Sequence, residues 1–332
     1  MRNILITGGA GFIGTNFVYY WLKNHPNDKI TVLDALTYAG NLKNLAIANN
    51  FKNFNFIKGN ILDQDLLSSI FSKREIDTVV HFAAESHVDR SILNPENFMN
   101  TNIMGTHTLL TTAMKFWKKS HNKNHFHHVS TDEVYGSLGP NDLPFTESSP
   151  YAPNSPYAAS KASSNHLVRA YYRTYHFPMT ISNCSNNYGP YQNIEKFIPT
   201  VIRSCLEWKP IPIYSNGSNI RDWIHVEDHC CAIEFILQKG QIGETYNIGG
   251  NNEVCNLELA QYICRIMDKI KPREKPYHSL ISLVKDRPGH DWRYAVDTAK
   301  IKLQLGFSPK TQFEMGLINT IHYYLENIEE TI

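Results

Sequence analysis

Short apolar runs alternate with longer segments of helical periodicity along the first half of the chain. The apolar runs are rich in β-branched and aromatic residues and predict buried strands at 3–7, 30–34, 55–58, 78–82 and 127–130. The segments between them predict helices near 12–23, 63–73 and 96–119. Because strands that alternate with helices pair in parallel, this half predicts an α/β fold with a Rossmann-type, doubly wound parallel sheet.

The pattern loosens after residue 182, where short elements are separated by polar loops. A strand at 179–182 leads into a predicted loop at 183–190, and a helix at 226–237 is expected to return to the first sheet. The predicted first domain is therefore 1–182, with 222–240 returning to it. A smaller, interleaved C-terminal domain is predicted from 183–221 and 241–332. Residues 303–332 predict an amphipathic helix and an acidic tail at the periphery.

The composition of the 332 residues fits a globular chain, with 42% hydrophobic and 19% charged residues. With 32 basic and 31 acidic residues the net charge is +1, which argues against nucleic-acid binding through a general basic field. No apolar run reaches the roughly 18 residues of a transmembrane helix. The six cysteines form no Cys-x-x-Cys pair and predict reduced thiols, so we expect a cytoplasmic protein without membrane contact.

A glycine-rich turn directly follows the first predicted strand. The run Gly-Gly-Ala-Gly-Phe-Ile-Gly at 8–14 contains G-x-G-x-x-G, whose glycines permit a tight turn and close approach of the backbone to a pyrophosphate. The second predicted strand ends in Asp34, 20 residues after Gly14, where an acid holds the ribose hydroxyls of NAD. Ala35 and Leu36 follow, and neither is an arginine that would receive the 2′-phosphate of NADP. The sequence therefore favours an NAD site over a glycine-rich turn with an Asp cap.

The strongest candidate for catalysis lies between Thr131 and Lys161. Tyr157 and Lys161 are four residues apart, which places both on one face of a helix. The ammonium group of Lys161 is expected to lower the pKa of the Tyr157 phenol, which would make the phenol a proton acceptor at neutral pH. Thr131 offers a hydroxyl to the same substrate oxygen, and Asp132 and Glu133 add two carboxylates. The structural alternative is a packed tyrosine beside a surface lysine at a helix start, and the nearby nucleotide motif favours catalysis.

Two further groups of residues have more than one interpretation. Histidines at 121, 125, 127 and 128 raise the question of a metal site, but a loop that runs into a strand explains them better, since their spacing matches no common site. We therefore expect no metal. Arg221 and Arg287 suit phosphate oxygens by their guanidinium geometry, and either would equally serve a structural ion pair. The loop at 286–290 has no helical pattern and is better explained by ligand contact than by packing.

Eight motifs in order along nearly the whole chain resemble those of one family. They are GGAGFIG, HFAAESHVDRS, STDEVYG, YAASK, NCSNNYGPYQ, RDWIHVEDH, YNIGG and DRPGHDWRYAVD. Together they resemble the dTDP-glucose 4,6-dehydratases of the extended short-chain dehydrogenase/reductase superfamily. The acid pair after Thr131 is the most specific part of the resemblance, because the related sugar-nucleotide 4-epimerases usually lack it.

The resemblance implies a redox-neutral reaction that regenerates NAD. Tyr157 would take the proton of the sugar 4-hydroxyl as C4 gives hydride to NAD, with Thr131 hydrogen-bonded to that oxygen. Glu133 would then remove the C5 proton, and protonated Asp132 would donate to the departing 6-hydroxyl. Hydride return to C6 would give the 4-keto-6-deoxy sugar nucleotide. Adjacent carboxylates hold opposite protonation states because like charges push their pKa values apart.

The resemblance also implies which residues contact the ligands. Cofactor contacts are expected at Gly8, Gly11, Phe12, Ile13, Gly14, Asp34, Asn60, Ile61, Ala83, Ala84, Ser86, Thr101, Tyr157, Lys161 and Asn186. Substrate contacts are expected at Ser86, Asn187, Lys196, Pro212, Tyr214, Arg221, Asn256, Arg287 and His290. Family members usually carry Asp where this chain has Asn60 near the adenine amine, and we expect NAD binding to persist because the Asn carbonyl still accepts a hydrogen bond. Homodimers are expected through two long helices per subunit, here 96–119 and 157–176.

Three alternatives to this function are open at the level of sequence. A UDP-glucose 4,6-dehydratase would share the chemistry but bind another base, and the segment Glu-Ser-His-Val-Asp-Arg at 85–90 is more like the dTDP-using members. A sugar-nucleotide 4-epimerase would not need Asp132 and Glu133. A catalytically silent NAD-binding scaffold is disfavoured by the presence of Thr131, Tyr157 and Lys161.

Overall fold

The computed structural model describes residues 1–118 and 123–327. Its strands are β1 (Asn3–Thr7), β2 (Lys29–Asp34), β3 (Phe54–Lys58), β4 (Thr78–His81), β5 (His125–Thr131), β6 (Met179–Cys184), β7 (Asn186–Tyr188), β8 (Ile211–Tyr214), β9 (Ile220–His225), β10 (Thr245–Ile248), β11 (Glu253–Cys255) and β12 (Ile281–Val284). Its α-helices are α1 (Phe12–Asn24), α2 (Gln64–Arg74), α3 (Val88–Leu93), α4 (Pro95–Phe98), α5 (Thr106–Trp117), α6 (Pro156–Tyr175), α7 (Phe197–Glu207), α8 (Val226–Lys239), α9 (Asn256–Ile270), α10 (Ala299–Leu305) and α11 (Phe313–Glu326).

Seven parallel strands form the central sheet, in the order β3-β2-β1-β4-β5-β6-β10. The predicted α/β class and the parallel Rossmann-type sheet are confirmed. Ile4 and Ile6 pack on one face of the sheet and Leu5 on the other, as the alternation of side chains along a strand requires. The strand order reverses direction between β1 and β4, and ligands of doubly wound sheets bind at the carboxyl ends of strands at such a point.

Helices cover both faces of this sheet. On one face, α1 and α8 bury Phe17, Trp21 and Ile233 against it, and α2, α5 and α6 cover the other face. A second domain has its own core, in which α7, α9 and α11 pack around β8. Its strands form a three-stranded sheet in the order β11-β9-β7 and a two-stranded pair of β12 with β8.

The two domains are interleaved, but their boundaries differ from the prediction in two places. The predicted return at 222–240 is wrong for 222–225, because β9 pairs with β7 and β11 of the second domain and only α8 packs against α1. The assignment of 241–332 to the second domain is wrong for β10, because its residues pair with 181–184 of β6. A four-residue buried strand carries no local signal of its distant partner.

Two short segments are more ordered or more buried than their patterns predicted. The loop expected at 183–190 contains the end of β6 and all of β7. The final helix, expected at the periphery, buries Leu317 and Ile321 completely in the core of the second domain. The acidic tail at 328–332 lies outside the described residues.

The helix expected at 96–119 contains a wider turn. A π-helix at Met99–Gly105 separates α4 from α5, while α6 matches the helix expected at 157–176. Such turns free backbone carbonyls from the regular α-helical pattern. Here the Asn102 carbonyl accepts hydrogen bonds from the hydroxyls of Thr106 and Ser164, each at 2.6 Å, and the second of these bonds joins the π-helix to α6. Residue 119 lies outside the described residues.

The histidine cluster belongs to the core of the sheet. His125, His127 and His128 lie within β5 and are buried, so the prediction of a loop running into a strand is wrong for the first of them. Burial lowers the pKa of all three, that of His125 to about 4, so they stay neutral. His121 lies outside the described residues, among which no group of His, Cys, Asp or Glu could hold a metal ion. Within the same residues, no helix is long and apolar enough to span a membrane.

Candidate active site

A cavity of about 300 Å³ lies at the carboxyl ends of β1 and β4. Its walls include every predicted cofactor contact: Gly8, Gly11, Phe12, Ile13, Gly14, Asp34, Asn60, Ile61, Ala83, Ala84, Ser86, Thr101, Tyr157, Lys161 and Asn186. They also include the predicted catalytic residues Thr131, Asp132 and Glu133 and two more of the predicted substrate contacts, Asn187 and Lys196. The fold therefore gathers into one cavity residues that the sequence distributes from position 8 to position 196.

The glycine turn fits a pyrophosphate. Gly8 has φ +71°, and a Cβ there would lie 2.6 Å from the backbone nitrogen of Ala83. A Cβ on Gly14 would lie 2.2 Å from the Gly8 carbonyl oxygen, so the protein itself requires both of these glycines. A Cβ on Gly11 would meet no atom closer than 3.4 Å, so the space beside Gly11 belongs to the cavity. The first residues of α1 line that space, where the N–H groups of a helix start favour a phosphate.

Asp34 and Asn60 keep acceptor capacity on the adenosine side of this cavity. The Asp34 carboxylate accepts backbone N–H groups from Ala10 at 2.9 Å and Leu36 at 2.8 Å, and each carboxylate oxygen has a second lone pair for a ribose hydroxyl. The Asn60 Oδ1 accepts from the Leu62 N–H at 2.9 Å and likewise retains a lone pair. The residues present therefore fit a dinucleotide with an unphosphorylated ribose.

Local sequence explains where Tyr157 and Lys161 lie. Ser155 caps α6 by accepting from the Ala158 N–H at 3.1 Å, and Pro156 occupies the first turn, where its missing N–H costs nothing. The helix thus begins just before Tyr157, and the four-residue spacing brings both side chains into the cavity. The Lys161 ammonium donates to the Val129 carbonyl at 2.8 Å.

The protonation of Tyr157 differs from the prediction. Burial raises the pKa of the phenol well above its usual value, the charges of Glu133 and Cys184 raise it further, and a hydrogen bond with the Thr131 hydroxyl lowers it. Burial lowers the pKa of Lys161 to about 8. The prediction that Lys161 lowers the pKa of Tyr157 is therefore wrong for the protein by itself, because desolvation of the phenol outweighs any nearby charge.

The two carboxyl groups of the 3₁₀ turn at Asp132–Tyr135 differ in their surroundings. Burial and then the Glu133 charge raise the pKa of Asp132 well above its usual range. Burial also raises the pKa of Glu133, but Arg287, Arg221 and Lys196 act against it. Protonation of the pair therefore favours Asp132, whose Oδ2 has no hydrogen-bond partner in the described part of the chain. This arrangement provides a buried acid beside a partly buried base.

Six predicted substrate contacts are not among the residues that line this cavity: Pro212, Tyr214, Arg221, Asn256, Arg287 and His290. Two of them contact Asp89, at the start of α3, and a third packs against one of these two. The Tyr214 hydroxyl donates to Asp89 Oδ2 at 3.2 Å, and Arg287 donates to Asp89 Oδ1 at 3.3 Å. The His290 ring packs edge-on against the Tyr214 ring, with 5.7 Å between centroids.

Arg221 is held mainly by backbone. It is 5% exposed, and its guanidinium donates to the carbonyls of Ile220 at 2.7 Å and Asp291 at 2.9 Å. The same guanidinium lies 4.2 Å from the centre of the Tyr294 ring. Asn256 begins α9, where its N–H donates to the Asn219 carbonyl, and Pro212 is an exposed residue of β8. Arg287, by contrast, forms an ion pair with Asp89, which is one of the two roles that the sequence left open for it.

Sequence reasoning missed several residues of this region. Tyr38 lines the cavity, and its hydroxyl lies 3.3 Å from Ser86 Oγ. The only feature of the sequence that could have indicated Tyr38 is its position between Asp34 and Gly40, just after the second strand. The Tyr294 hydroxyl lies 3.5 Å from Glu133 Oε2, although the two residues are 161 positions apart. No local pattern connects such distant positions.

The glycine turn lies where the strand order reverses between β1 and β4, and the Tyr-Lys pair lies on α6. Together they define a dinucleotide-binding enzyme of the extended short-chain dehydrogenase/reductase class. A family model described as GDP-mannose 4,6 dehydratase matches residues 5–320. The dTDP-glucose 4,6-dehydratase of Neisseria meningitidis serogroup B is 50% identical over 98% of this chain and 94% of its own length. That of Haemophilus influenzae is 49% identical over 98% and 99% of the two chains. The chain belongs to the dTDP-glucose 4,6-dehydratase family, as the sequence motifs predicted.

Solved structures give the same result. A dTDP-glucose 4,6-dehydratase from Streptomyces venezuelae with NAD bound has a TM-score of 0.92 and 45% identity, covering 99% of this chain and 98% of its own. A UDP-glucose 4-epimerase from Thermotoga maritima with UDP-glucose has a TM-score of 0.87 at 27% identity, covering 99% and 100%. The fold is thus shared with epimerases, and the sequence is nearer to the dehydratases.

Proposed function

We propose that this chain is an NAD-dependent lyase that converts dTDP-glucose into dTDP-4-keto-6-deoxyglucose. The observation that carries the proposal is the acid–base pair of buried Asp132 and partly buried Glu133 beside the Tyr157 phenol, in the same cavity as the glycine turn. The family membership and the NAD-bound relatives support it. A simple dehydrogenase or epimerase needs Tyr157 and Lys161 but has no use for this carboxyl pair.

The first step oxidises C4 of the sugar. Bound NAD supplies a positive ring charge that favours the phenolate and an acceptor for the C4 hydride, which it later returns to C6. Tyr157 removes the proton of the 4-hydroxyl, and the Thr131 hydroxyl, which lines the same cavity, shares that oxygen. Lys161 adds positive charge at neutral pH, because its pKa of about 8 leaves most of its amine protonated.

The second step eliminates water between C5 and C6. The C4 ketone acidifies the C5–H bond. Glu133 takes the C5 proton, the electron pair of that bond forms the C5–C6 double bond, and the C6–O bond breaks. Asp132 gives its proton to the departing oxygen, which leaves as water. Glu133 is partly exposed, and its carboxyl proton exchanges with solvent. When C6 is reduced, Glu133 gives a proton to C5, and the product is the 4-keto-6-deoxy sugar nucleotide.

The nucleotide part binds between the cavity and the cluster around Asp89. Arg287 and Lys196 both face Glu133 and supply the positive charge for a diphosphate beside it, and the guanidinium fork of Arg287 suits phosphate oxygens. The crossed rings of Tyr214 and His290 offer an apolar surface to a pyrimidine. Arg221, Pro212, Asn256, Asn187 and Ser86 complete the proposed contacts.

A UDP-glucose 4,6-dehydratase is the second candidate, because the same catalytic residues would serve either base. The relatives of about half identity are named for dTDP-glucose, and this favours the thymine nucleotide. To test the choice, the protein is incubated with dTDP-glucose and UDP-glucose separately, and the alkali-induced absorbance of the 4-keto product is followed. We expect product from dTDP-glucose at a rate at least about tenfold above that from UDP-glucose, since a single base contact contributes about 1–3 kcal/mol. Faster turnover of UDP-glucose, or a galactose product that retains the 6-hydroxyl, contradicts the proposal.

The proposal includes a cytoplasmic homodimer that joins through α5 and α6. Met104, in the π-helix that leads into α5, is 50% exposed, and Tyr175 on α6 is 54% exposed. The Tyr171–His107 hydrogen bond ties α5 and α6 into one surface. The six free cysteines fit a reducing compartment. Sedimentation is expected to give a mass near twice the 38.1 kDa of the chain for the wild type and near 38.1 kDa for Met104→Glu. Leu303→Glu, at an 83% exposed position on α10, is the control that stays dimeric. A wild-type mass near 38.1 kDa contradicts the dimer.

A further inference from the structure

The segment after the loop at 286–290 contains a buried carboxylate that the steps above do not use. Asp291 is 4% exposed, and its Oδ1 accepts from Asn154 Nδ2 at 2.6 Å. Its Oδ2 accepts from the Tyr294 hydroxyl at 2.5 Å. Its backbone carbonyl accepts from Arg221 at 2.9 Å and from Asn219 at 3.1 Å. Four hydrogen bonds therefore fix the position of this residue, two of them at its carboxylate and two at its backbone carbonyl.

Tyr294 connects Asp291 to the catalytic pair. Its hydroxyl lies 3.5 Å from Glu133 Oε2, a separation that is common for catalytic hydrogen bonds before ligand binds. Burial raises the pKa of the Tyr294 phenol well above its usual value, so the phenol stays neutral and has one proton to donate. The shorter bond to Asp291 uses that proton. Toward Glu133, Tyr294 consequently presents a lone pair.

We propose that Asp291 is a positioning residue that acts through Tyr294 to make Glu133 a stronger base. By drawing the phenol proton to itself, Asp291 leaves the Tyr294 oxygen as an acceptor for protonated Glu133. The hydrogen bond then exists only after Glu133 has taken the C5 proton, so it stabilises the proton-bearing form. This role rests on the proposed function, in which Glu133 removes the C5 proton and later gives a proton to C5.

The charges around Glu133 make such a device necessary. The groups that face it are the cations Arg287, Arg221 and Lys196, the acids Asp132 and Asp291, and the phenols Tyr157 and Tyr294. The three cations stabilise the Glu133 carboxylate and thereby weaken it as a base. A C5–H bond beside a ketone is a weak acid, so a base with too little proton affinity removes its proton slowly. Asp291 and Tyr294 oppose the cations with a dipole aimed at Glu133.

The substitution Asp291→Asn reverses this dipole. Asn154 still donates to Oδ1, so the new amide nitrogen takes the place of Oδ2 and donates to Tyr294. Tyr294 then donates to Glu133, the carboxylate is stabilised, and the pKa of Glu133 falls. We expect the uptake of deuterium at C5 from D₂O to slow by about 10–100-fold, since one pKa unit corresponds to a factor of about ten. C4 oxidation in a single turnover stays within about twofold, and the acidic limb of the rate–pH profile moves to lower pH.

A double-mutant cycle separates this role from a structural one. Tyr294→Phe removes the connecting hydroxyl and is also expected to slow the C5 step without slowing C4 oxidation. In the Tyr294→Phe background, Asp291→Asn should slow the C5 step by much less than it does in the wild type, because only the direct charge of Asp291 on Glu133 is then lost. An equal additional loss in that background, or a C5 step within twofold of wild type in either single variant, overturns the proposal.

The controls keep the inference distinct from the proposed function. If the wild type forms no 4-keto product, the proposed function fails. If the wild type forms it and the variants behave as wild type, only the role of Asp291 fails. Where Asp291→Asn does not fold, Tyr294→Phe alone decides, because it deletes one hydroxyl; equal losses in the C4 and C5 steps then count against the proposal.

Discussion

Tyr157→Phe is expected to slow oxidation of the sugar by about 10²–10⁴-fold, the range that a positioned general base contributes, while NAD stays bound. The substitution removes only the hydroxyl of a side chain that is 9% exposed, so the packing of its ring against Phe98 is retained. Without the phenol oxygen, no other described group takes its place: the Thr131 hydroxyl is a far weaker proton acceptor than a phenolate, and the Lys161 amine is protonated and bonded to the Val129 carbonyl.

The measurement is a single-turnover trace of cofactor reduction after addition of dTDP-glucose, together with a binding isotherm for NAD. Tyr172→Phe, on the same helix, deletes a hydroxyl away from the cavity and should behave as wild type. Turnover of Tyr157→Phe within a few fold of wild type would assign the base to another residue. A parallel loss of NAD binding would point to a structural role for Tyr157.

Replacing Asp132 by Asn and Glu133 by Gln together is expected to separate oxidation from elimination. Oxidation at C4 needs Thr131, Tyr157 and Lys161, and these remain. The amides keep the size of the carboxyl groups but transfer no proton, so loss of water should fall by about 10²–10⁴-fold. The reduced cofactor is then expected to form at close to the wild-type rate and to persist, because C6 is never made ready to receive the hydride.

The decisive experiment follows the absorbance of the reduced cofactor and the sugar products in the same sample. The single variants assign the two roles: Glu133→Gln should abolish deuterium uptake at C5, whereas Asp132→Asn should slow departure of the 6-hydroxyl. If the double variant makes 4-keto-6-deoxy sugar at the wild-type rate, other residues carry the elimination and the acid–base assignment is wrong.

The sequence predicted the nucleotide-binding half of the fold well because its signals are local. A buried parallel strand is a continuous apolar run, and Asn3–Thr7 of β1 was predicted to the residue. The carboxyl ends of β1, β2, β4 and β5 each carry candidate site residues in the next few positions, so the turn at 8–14 and the acids at 132 and 133 were recognisable. Motif order then identified the family.

What the sequence could not predict depends on contacts between distant positions. β10 joins β6 and α11 enters the second core because of partners that lie far away along the chain. Tyr294 reaches Glu133 by the same kind of long-range folding and brings Asp291, its hydrogen-bond partner, with it. The sequence also predicted a lowered pKa for Tyr157, whereas burial raises it. The spacing reveals the nearby lysine but not the depth at which the phenol is buried.

The place of β10 in the central sheet has a consequence for the growing chain on the ribosome. β6 is synthesised well before its neighbour, and the segments that form β7, α7, β8, β9 and α8 must emerge before Thr245–Ile248 can pair with it. Until then the edge of β6 that faces away from β5 is unpaired, and such an edge can pair with other nascent chains. The central sheet is therefore completed late in translation. A truncated mRNA that ends before the codon for residue 245 would yield a chain with an unpaired, aggregation-prone strand edge.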